Sequence, residues 1–227
     1  MDGVVEEMGH VPIAQEYVPG DAECGFFALV DAGELVVTFQ HRRVRSYTYS
    51  GGASVYRVSV DDAGLREAGT RLLSSLDWHG PAMVEFKRDP RDGAFKLMEI
   101  NPRFWGSLAL PVHAGVDFPA LYYRMARGEA VGPVHDYEVG VGCHLLRGEV
   151  SYVNSLLRHD YDVVERPALA PALAGMAVSL LRQPNFDHLS TADPMPFVAD
   201  VLGAVRKDLV GPVVARALGS HTTPDRD

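Results

Sequence analysis

Two short segments carry residue types from which a divalent-cation site could be built. They are Met83-Val84-Glu85-Phe86-Lys87 and Met98-Glu99-Ile100-Asn101-Pro102-Arg103-Phe104-Trp105-Gly106. The spacing predicts strands over Ala82 to Lys87 and Phe95 to Asn101, joined across Asp89-Pro90-Arg91-Asp92-Gly93. Side chains alternate faces along a strand. Val84 and Phe86 then share an apolar face with Met98 and Ile100, and the other face carries Glu85, Lys87, Leu97, Glu99 and Asn101. If Glu85 lies opposite Glu99, the turn centres on residue 92, inside the Asp89–Gly93 segment. A register slipped by two leaves the glutamates diagonal but still on one face.

Paired carboxylates repel, by roughly 3 kcal/mol at ~5 Å and an effective dielectric near ~20. Lys87 offsets part of that. A divalent cation offsets more, and Asn101 adds a neutral oxygen beside Glu99. Two carboxylates and an amide oxygen suit Mg²⁺, with phosphates filling its remaining positions. Arg103 would set a fixed positive charge beside the same place. The pattern equally suits a solvated hairpin face with a mixture of charges, since exposed ion pairs stabilise little.

The elements around this hairpin follow from pattern. Val4, Val5 and Met8 suggest the end of a helix, and Val11 to Val18 a strand closed by Pro19-Gly20. Phe26 to Val30 and Leu35 to Phe39 form a hairpin across Asp31-Ala32-Gly33-Glu34. A basic and then glycine-rich stretch, His41 to Ser54, precedes a strand from Ser54 to Val60. Asp61-Asp62 opens a helix that carries Leu65, Ala68, Leu72, Leu73 and Leu76. Helices are expected from about Phe104 to Ala114 and from Asp117 to Gly128. One strand, Tyr137 to Leu146, then several helices and a polar tail follow. The order is that of an α+β fold, with an antiparallel sheet flanked by helices. The division expected is residues 1–136 and a helical extension, 137–227.

The chain has 227 residues and a formal net charge of −9. That length supports a buried core. The acidic balance argues against sequence-independent nucleic-acid binding. The longest strongly apolar stretch, Leu169 to Leu181, is shorter than the ~20 residues a membrane helix needs. Cys24 and Cys143 form no CxxC pair, and no histidine pair has zinc-ligand spacing. Reduced thiols and a cytoplasmic setting are the simplest expectation.

The hairpin motif resembles the metal-binding end of the ATP-grasp family, in the branch of the carbamoyl-phosphate synthase large subunit. The family pattern is an acid on one strand, an acid-x-Asn triplet on the next, then Arg. The resemblance implies that Glu85, Glu99 and Asn101 hold Mg²⁺ and that Arg103 sits near the reacting phosphate or acyl group. Pro12-Ile13-Ala14-Gln15-Glu16-Tyr17-Val18-Pro19-Gly20 is similar to the family's adenine-reading strand. It implies nucleotide contacts at Gln15, Glu16, Tyr17 and Val18, a ribose contact at Asp21 or Glu23, and Lys87 on the nucleotide side. Ser50-Gly51-Gly52-Ala53-Ser54 resembles the family's substrate-side loop.

The implied chemistry is Mg²⁺-dependent use of ATP to activate a small carboxylate as an acylphosphate, captured by an amine or thiol. The fold implied is the C-terminal lobe of an ATP-grasp domain. Its phosphate-gripping lysines belong to an N-terminal lobe. Here the three lysines are Lys87, Lys96 and Lys207. A truncated or split remnant, acting with a missing lobe or as a homo-oligomer, is the alternative expectation. Arg42, Arg43 and Arg45 suit either an anion contact or surface charge, with Arg43 and Arg45 on one face of a strand.

Overall fold

The computed structural model describes residues 2–13, 15–20, 23–158, 164–190 and 192–204. Helix α1 (Asp2–Met8) precedes β1 (Glu23–Asp31), β2 (Glu34–Thr48), β3 (Gly51–Ser59), α2 (Ala63–Ser74), β4 (Gly80–Arg88) and β5 (Phe95–Asn101). Then come α3 (Ala109–His113), α4 (Phe118–Ala126), β6 (Gly142–His144), α5 (Leu146–Arg158), α6 (Leu169–Arg182) and α7 (Met195–Ala204). The strands form one antiparallel sheet in the order β5-β4-β1-β2-β3-β6. The architecture is α+β, an antiparallel sheet flanked by helices, as expected.

Strand β1 is central, and its apolar run from Phe26 to Val30 is buried throughout because both faces are covered. Phe27 and Leu29 pack with Phe39, Met83, Trp105, Leu110 and Phe118 on one face. Phe26, Ala28 and Val30 pack with Leu65, Leu73, Val84 and Phe86 on the other. Helix α2 covers that second face. Asp62 caps it, accepting from the Gly64 and Leu65 amides at 2.9 and 3.1 Å. Gly69 lets it close on the sheet, since a Cβ there would lie 2.3 Å from the Phe26 ring. The turn between β1 and β2 places Ala32 and Gly33 at φ 46° and 88°, the twist a tight hairpin needs.

Several expected elements differ. The described residues of the segment, 11–13 and 15–18, join no strand of the sheet, and Val11 and Ile13 are 76% and 89% exposed. Alternating residues make a strand only where a neighbour completes the ladder, and Pro12 and Pro19 carry no amide donor. The stretch from His41, to which no element was assigned, is strand. Strand β2 continues to Thr48 and turns at Tyr49-Ser50 into β3. The strand expected over Tyr137 to Leu146 shrinks to β6, preceded by Gly140 at φ 88°. The helix expected from Phe104 shrinks to α3, whose first turn has no side-chain cap.

Candidate functional site

Parity places the site on the sheet face that carries Trp105. On β4, Glu85 and Lys87 alternate in step with Met83, which belongs to that core. Glu85 lies directly opposite Glu99, and Met83 opposite Asn101. Beyond Glu85 the register shifts, so that Phe86 faces Leu97 and Met98 is the extra residue. The bulge takes Met98 out of the expected apolar face, on which Val84, Phe86 and Ile100 do pack together. Met98 is 44% exposed, and Leu97 pairs with Phe86 rather than joining the glutamates.

The polar groups form a chain. Asn101 Nδ2 donates to Glu99 Oε1 at 2.6 Å, and Arg103 Nη2 donates to Asn101 Oδ1 at 3.1 Å. Arg103 also reaches the Phe104 carbonyl at 3.0 Å. On the other side Arg43, from β2, donates to Glu85 Oε2 at 3.1 Å, to Glu23, and to the Gly52 carbonyl at 2.9 Å. Burial pushes the Glu85 carboxyl above its ordinary value. Arg43 pulls it back, while Glu99 and Glu23 push it further. No cation reaches Glu99 among the described residues.

This donor set fits Mg²⁺. Both acids are hard oxygen ligands, and one has no cationic partner. The Asn101 oxygen keeps a second lone pair beside its bond to Arg103. Among the described residues no group of three His, Cys, Asp or Glu side chains is placed to hold a metal, so the third protein ligand would be that amide.

The segment read as adenine-binding lies exposed near the turn after β4. Glu16 pairs with Arg91 at 2.8 Å, and the Lys87 ammonium sits 5.4 Å from the centre of the Tyr17 ring. Arg91 is itself held by buried Asp89, bonding its Oδ2 at 2.6 Å. Gln15 is exposed and Val18 half-buried. Glu23 is turned to Arg43, and Asp21 lies outside the described residues.

Next to Arg43 opens a cleft of about 820 Å³. Tyr17, Glu23, Arg43 and Lys87 line one part, and Arg45, Thr48 and Ser50 the hairpin side. Tyr152 and Glu165 also line it. Arg43 and Arg45 both line this cleft, as their expected shared face implies, but they hold different partners. Arg45 clasps Glu149 of α5 with bonds of 2.8 and 2.9 Å. His144 Nδ1 and Glu149 Oε1 are 2.7 Å apart. Burial alone would raise the Glu149 carboxyl, but the bonds from His144 and Arg45 outweigh it and hold it below the ordinary value. Arg57, nearly fully buried, pairs with Asp187. Tyr152 and Glu165 were not singled out from the sequence, whereas Arg43 was named there with Arg42 and Arg45 as either an anion contact or surface charge.

Residues 11–144 match the family model described as "ATP-grasp in the biosynthetic pathway with Ter operon", and the chain belongs to the ATP-grasp family. The biotin carboxylase domain of a thermophilic 2-oxoglutarate carboxylase, bound to bicarbonate, matches with a TM-score of 0.50 at 15% identity. That match covers 62% of this chain and 33% of the other. The phosphoribosylaminoimidazole carboxylase ATPase subunit from Aquifex aeolicus matches with a TM-score of 0.47 at 20% identity, over 56% of this chain and 41% of that one. The first of these likenesses concerns the fold alone. No curated protein matches the chain. Among the described residues no helix is long and apolar enough to cross a membrane.

Proposed function

We propose that the chain binds ATP with Mg²⁺ and serves an ATP-grasp ligase that activates a small carboxylate. The observation that carries this is the direct pairing of Glu85 with Glu99, extended by Asn101 and Arg103 along one edge. Glu85, Glu99 and Asn101 would hold the metal. Bound Mg²⁺ would neutralise phosphate charge and draw electron density from the γ-phosphorus. Arg103 would face the transferring group and stabilise its charge. Glu16, Tyr17 and Lys87 lie on the side proposed for the nucleotide, with Gln15 and Val18 flanking them. Glu23 or Asp21 would meet the ribose. The motif order favours the carbamoyl-phosphate synthase-like branch.

In the reaction a substrate carboxylate oxygen bonds to the γ-phosphorus while the bond to the β–γ bridging oxygen breaks, releasing ADP. An amine or thiol then attacks the acyl carbon. Phosphate leaves, and the nucleophile's proton passes to solvent. Hydroxylamine tests this directly by trapping an acylphosphate as a hydroxamate. The reading expects hydroxamate from ATP, Mg²⁺ and the right acid. Hydroxamate that forms equally with Glu99→Gln would contradict it.

A second reading rests on the exposure of Val11, Ile13 and Tyr17, which leaves the nucleotide side open. In it the chain supplies half of a cleft, and a partner lobe or second copy supplies the phosphate-binding lysines. Light scattering with and without Mg²⁺-ATP separates the two, since only the second reading requires an assembly.

A further inference from the structure

Helix α6 reverses the usual arrangement of a surface helix, whose outer side is polar. Between Arg166 and Arg182 the chain carries no charged side chain. The side turned to the body holds Ala172, Met176, Ser179 and Leu180. Two anchors fix the helix about its axis. Arg45 donates to Ser179 Oγ at 2.6 Å. The side-chain amide of Gln183, just past the helix, bonds the Gly140 carbonyl at 3.1 Å and the Gly142 amide at 3.0 Å. The opposite side, Leu169, Ala170, Leu173, Ala174, Ala177 and Val178, therefore faces solvent. Single exposed apolar side chains are ordinary, but a whole face without a charge marks a contact surface. Helix α7 repeats the inversion: Met195, Val198 and Leu202 are exposed, while Asp200 turns in toward Arg147 and His188. Both helices lie beyond the 11–144 family match.

The exposed face of α6 is complementary to itself. Its side chains lie in two rows, Leu169-Leu173-Ala177 and Ala170-Ala174-Val178, each at the four-residue spacing of helix neighbours. An identical helix can be laid antiparallel on it about a twofold axis between Leu173 and Ala174. Leu169 then meets Val178, Ala170 meets Ala177 and Leu173 meets Ala174. The alanines let the backbones approach and leave room for Leu173 of the copy. Charge agrees with this arrangement. Glu165 stands just before α6 and Arg182 closes it. Both are exposed, and neither has an ion-pair partner among the described residues. Antiparallel pairing brings Arg182 of each copy to the Glu165 end of the other and sets the helix dipoles in opposition, which is favourable. The chain as a whole carries a formal net charge of −9, so a face free of acids is where two copies approach with least repulsion.

We propose that the chain forms a twofold dimer in which α6 packs antiparallel on α6 of a second copy, with Glu165 and Arg182 paired at both ends. The dimer needs neither metal nor nucleotide and does not rest on the ligase reading. It differs in this from an assembly across the nucleotide side, which would respond to Mg²⁺-ATP.

The test is sedimentation equilibrium of the full chain from low micromolar to near-millimolar concentration, with and without Mg²⁺-ATP. The expected result is a monomer–dimer equilibrium with a dissociation constant of about 10 μM, since a helix pair buries less than the standard interface of about 1,600 Å². Mg²⁺-ATP should leave it unchanged. Ala174→Glu sets two carboxylates together at the axis and should weaken the dimer about tenfold or more, with unchanged circular dichroism. Glu165→Lys and Arg182→Glu should each weaken it, and the two substitutions together should restore it. A monomer at every concentration would overturn the proposal, whether the face then takes another protein or a further segment of its own chain. So would a dimer that Ala174→Glu leaves intact, or one that forms only with Mg²⁺-ATP. A dimer lost in Ala174→Glu but indifferent to both charge reversals would overturn the antiparallel pairing.

Discussion

Glu85 on β4 stands directly across from Glu99 on β5, and the strand register slips by one residue immediately beyond them. The bulge leaves the two carboxylates level while Met98 turns outward. Arg43 approaches from β2, two places away in the sheet, and β1 between them presents Gly25 opposite Glu85. The acid pair is therefore compensated from one side only.

The raised Glu85 carboxyl makes a pH prediction. Its folded-state value exceeds its unfolded one, so the folded chain holds that proton more tightly. The resulting stability is fully present below the ordinary value of 4.5 and is lost as pH rises through the raised value. Glu85→Gln should flatten this part of the pH profile in urea denaturation. It should also raise the melting temperature without metal at pH 7, by about 1–3 °C. A variant that follows the wild-type profile would contradict the assignment.

Asp89 gives the opposite sign. Its bonds from Arg91 hold it at about 2, against an ordinary 3.8. Its contribution is present above 3.8 and lost as pH falls through about 2. Asp89→Asn should remove stability at neutral pH and weaken the acid dependence in that window, as read by acid unfolding. Because Arg91 also holds Glu16, the variant should increase hydrogen exchange around Glu16 and Tyr17.

Glu149→Ala removes the partner of both Arg45 and His144 and leaves a guanidinium that is only 10% exposed without its acid. Breaking a buried pair from one side costs about 3–5 kcal/mol. Chemical denaturation should show a loss of that order. A loss below about 1 kcal/mol, the scale of an exposed pair, would contradict the buried network.

Gly25→Ala should destabilise by about 1–3 kcal/mol through overpacking. Its Cβ would lie 2.5 Å from Phe27 Cζ and 3.1 Å from His41 Nε2. His41 is fully buried, and burial together with the nearby Arg57 and Arg43 holds its imidazole well below its ordinary value. Since Gly25 pairs with Glu85, Mg²⁺ affinity should fall along with stability. Calorimetry beside thermal denaturation reads both.

Local pattern carried much of this architecture. The Asp62 cap and the Leu65–Leu73 stripe of α2, both early hairpin strands and the facing of Glu85 and Glu99 follow from periodicity and turn chemistry. Three features do not. A bulge such as that at Met98 is set by strand twist and neighbouring packing, which alternation cannot report. The Val11–Val18 alternation shows a strand only if a ladder partner is supplied. The partners of Arg43, Arg45 and Arg57 lie 42, 104 and 130 residues away, at Glu85, Glu149 and Asp187. Contacts of that range are made by the fold and leave no mark in spacing.

The most direct measurement is calorimetric titration of ATP into the full chain, with and without Mg²⁺, beside the Glu85→Gln/Glu99→Gln double variant. The account predicts binding that requires Mg²⁺ in the wild type and is lost in a double variant whose circular dichroism is unchanged. Mg²⁺-dependent binding of equal strength in the double variant would contradict the assignment of the metal to this pair.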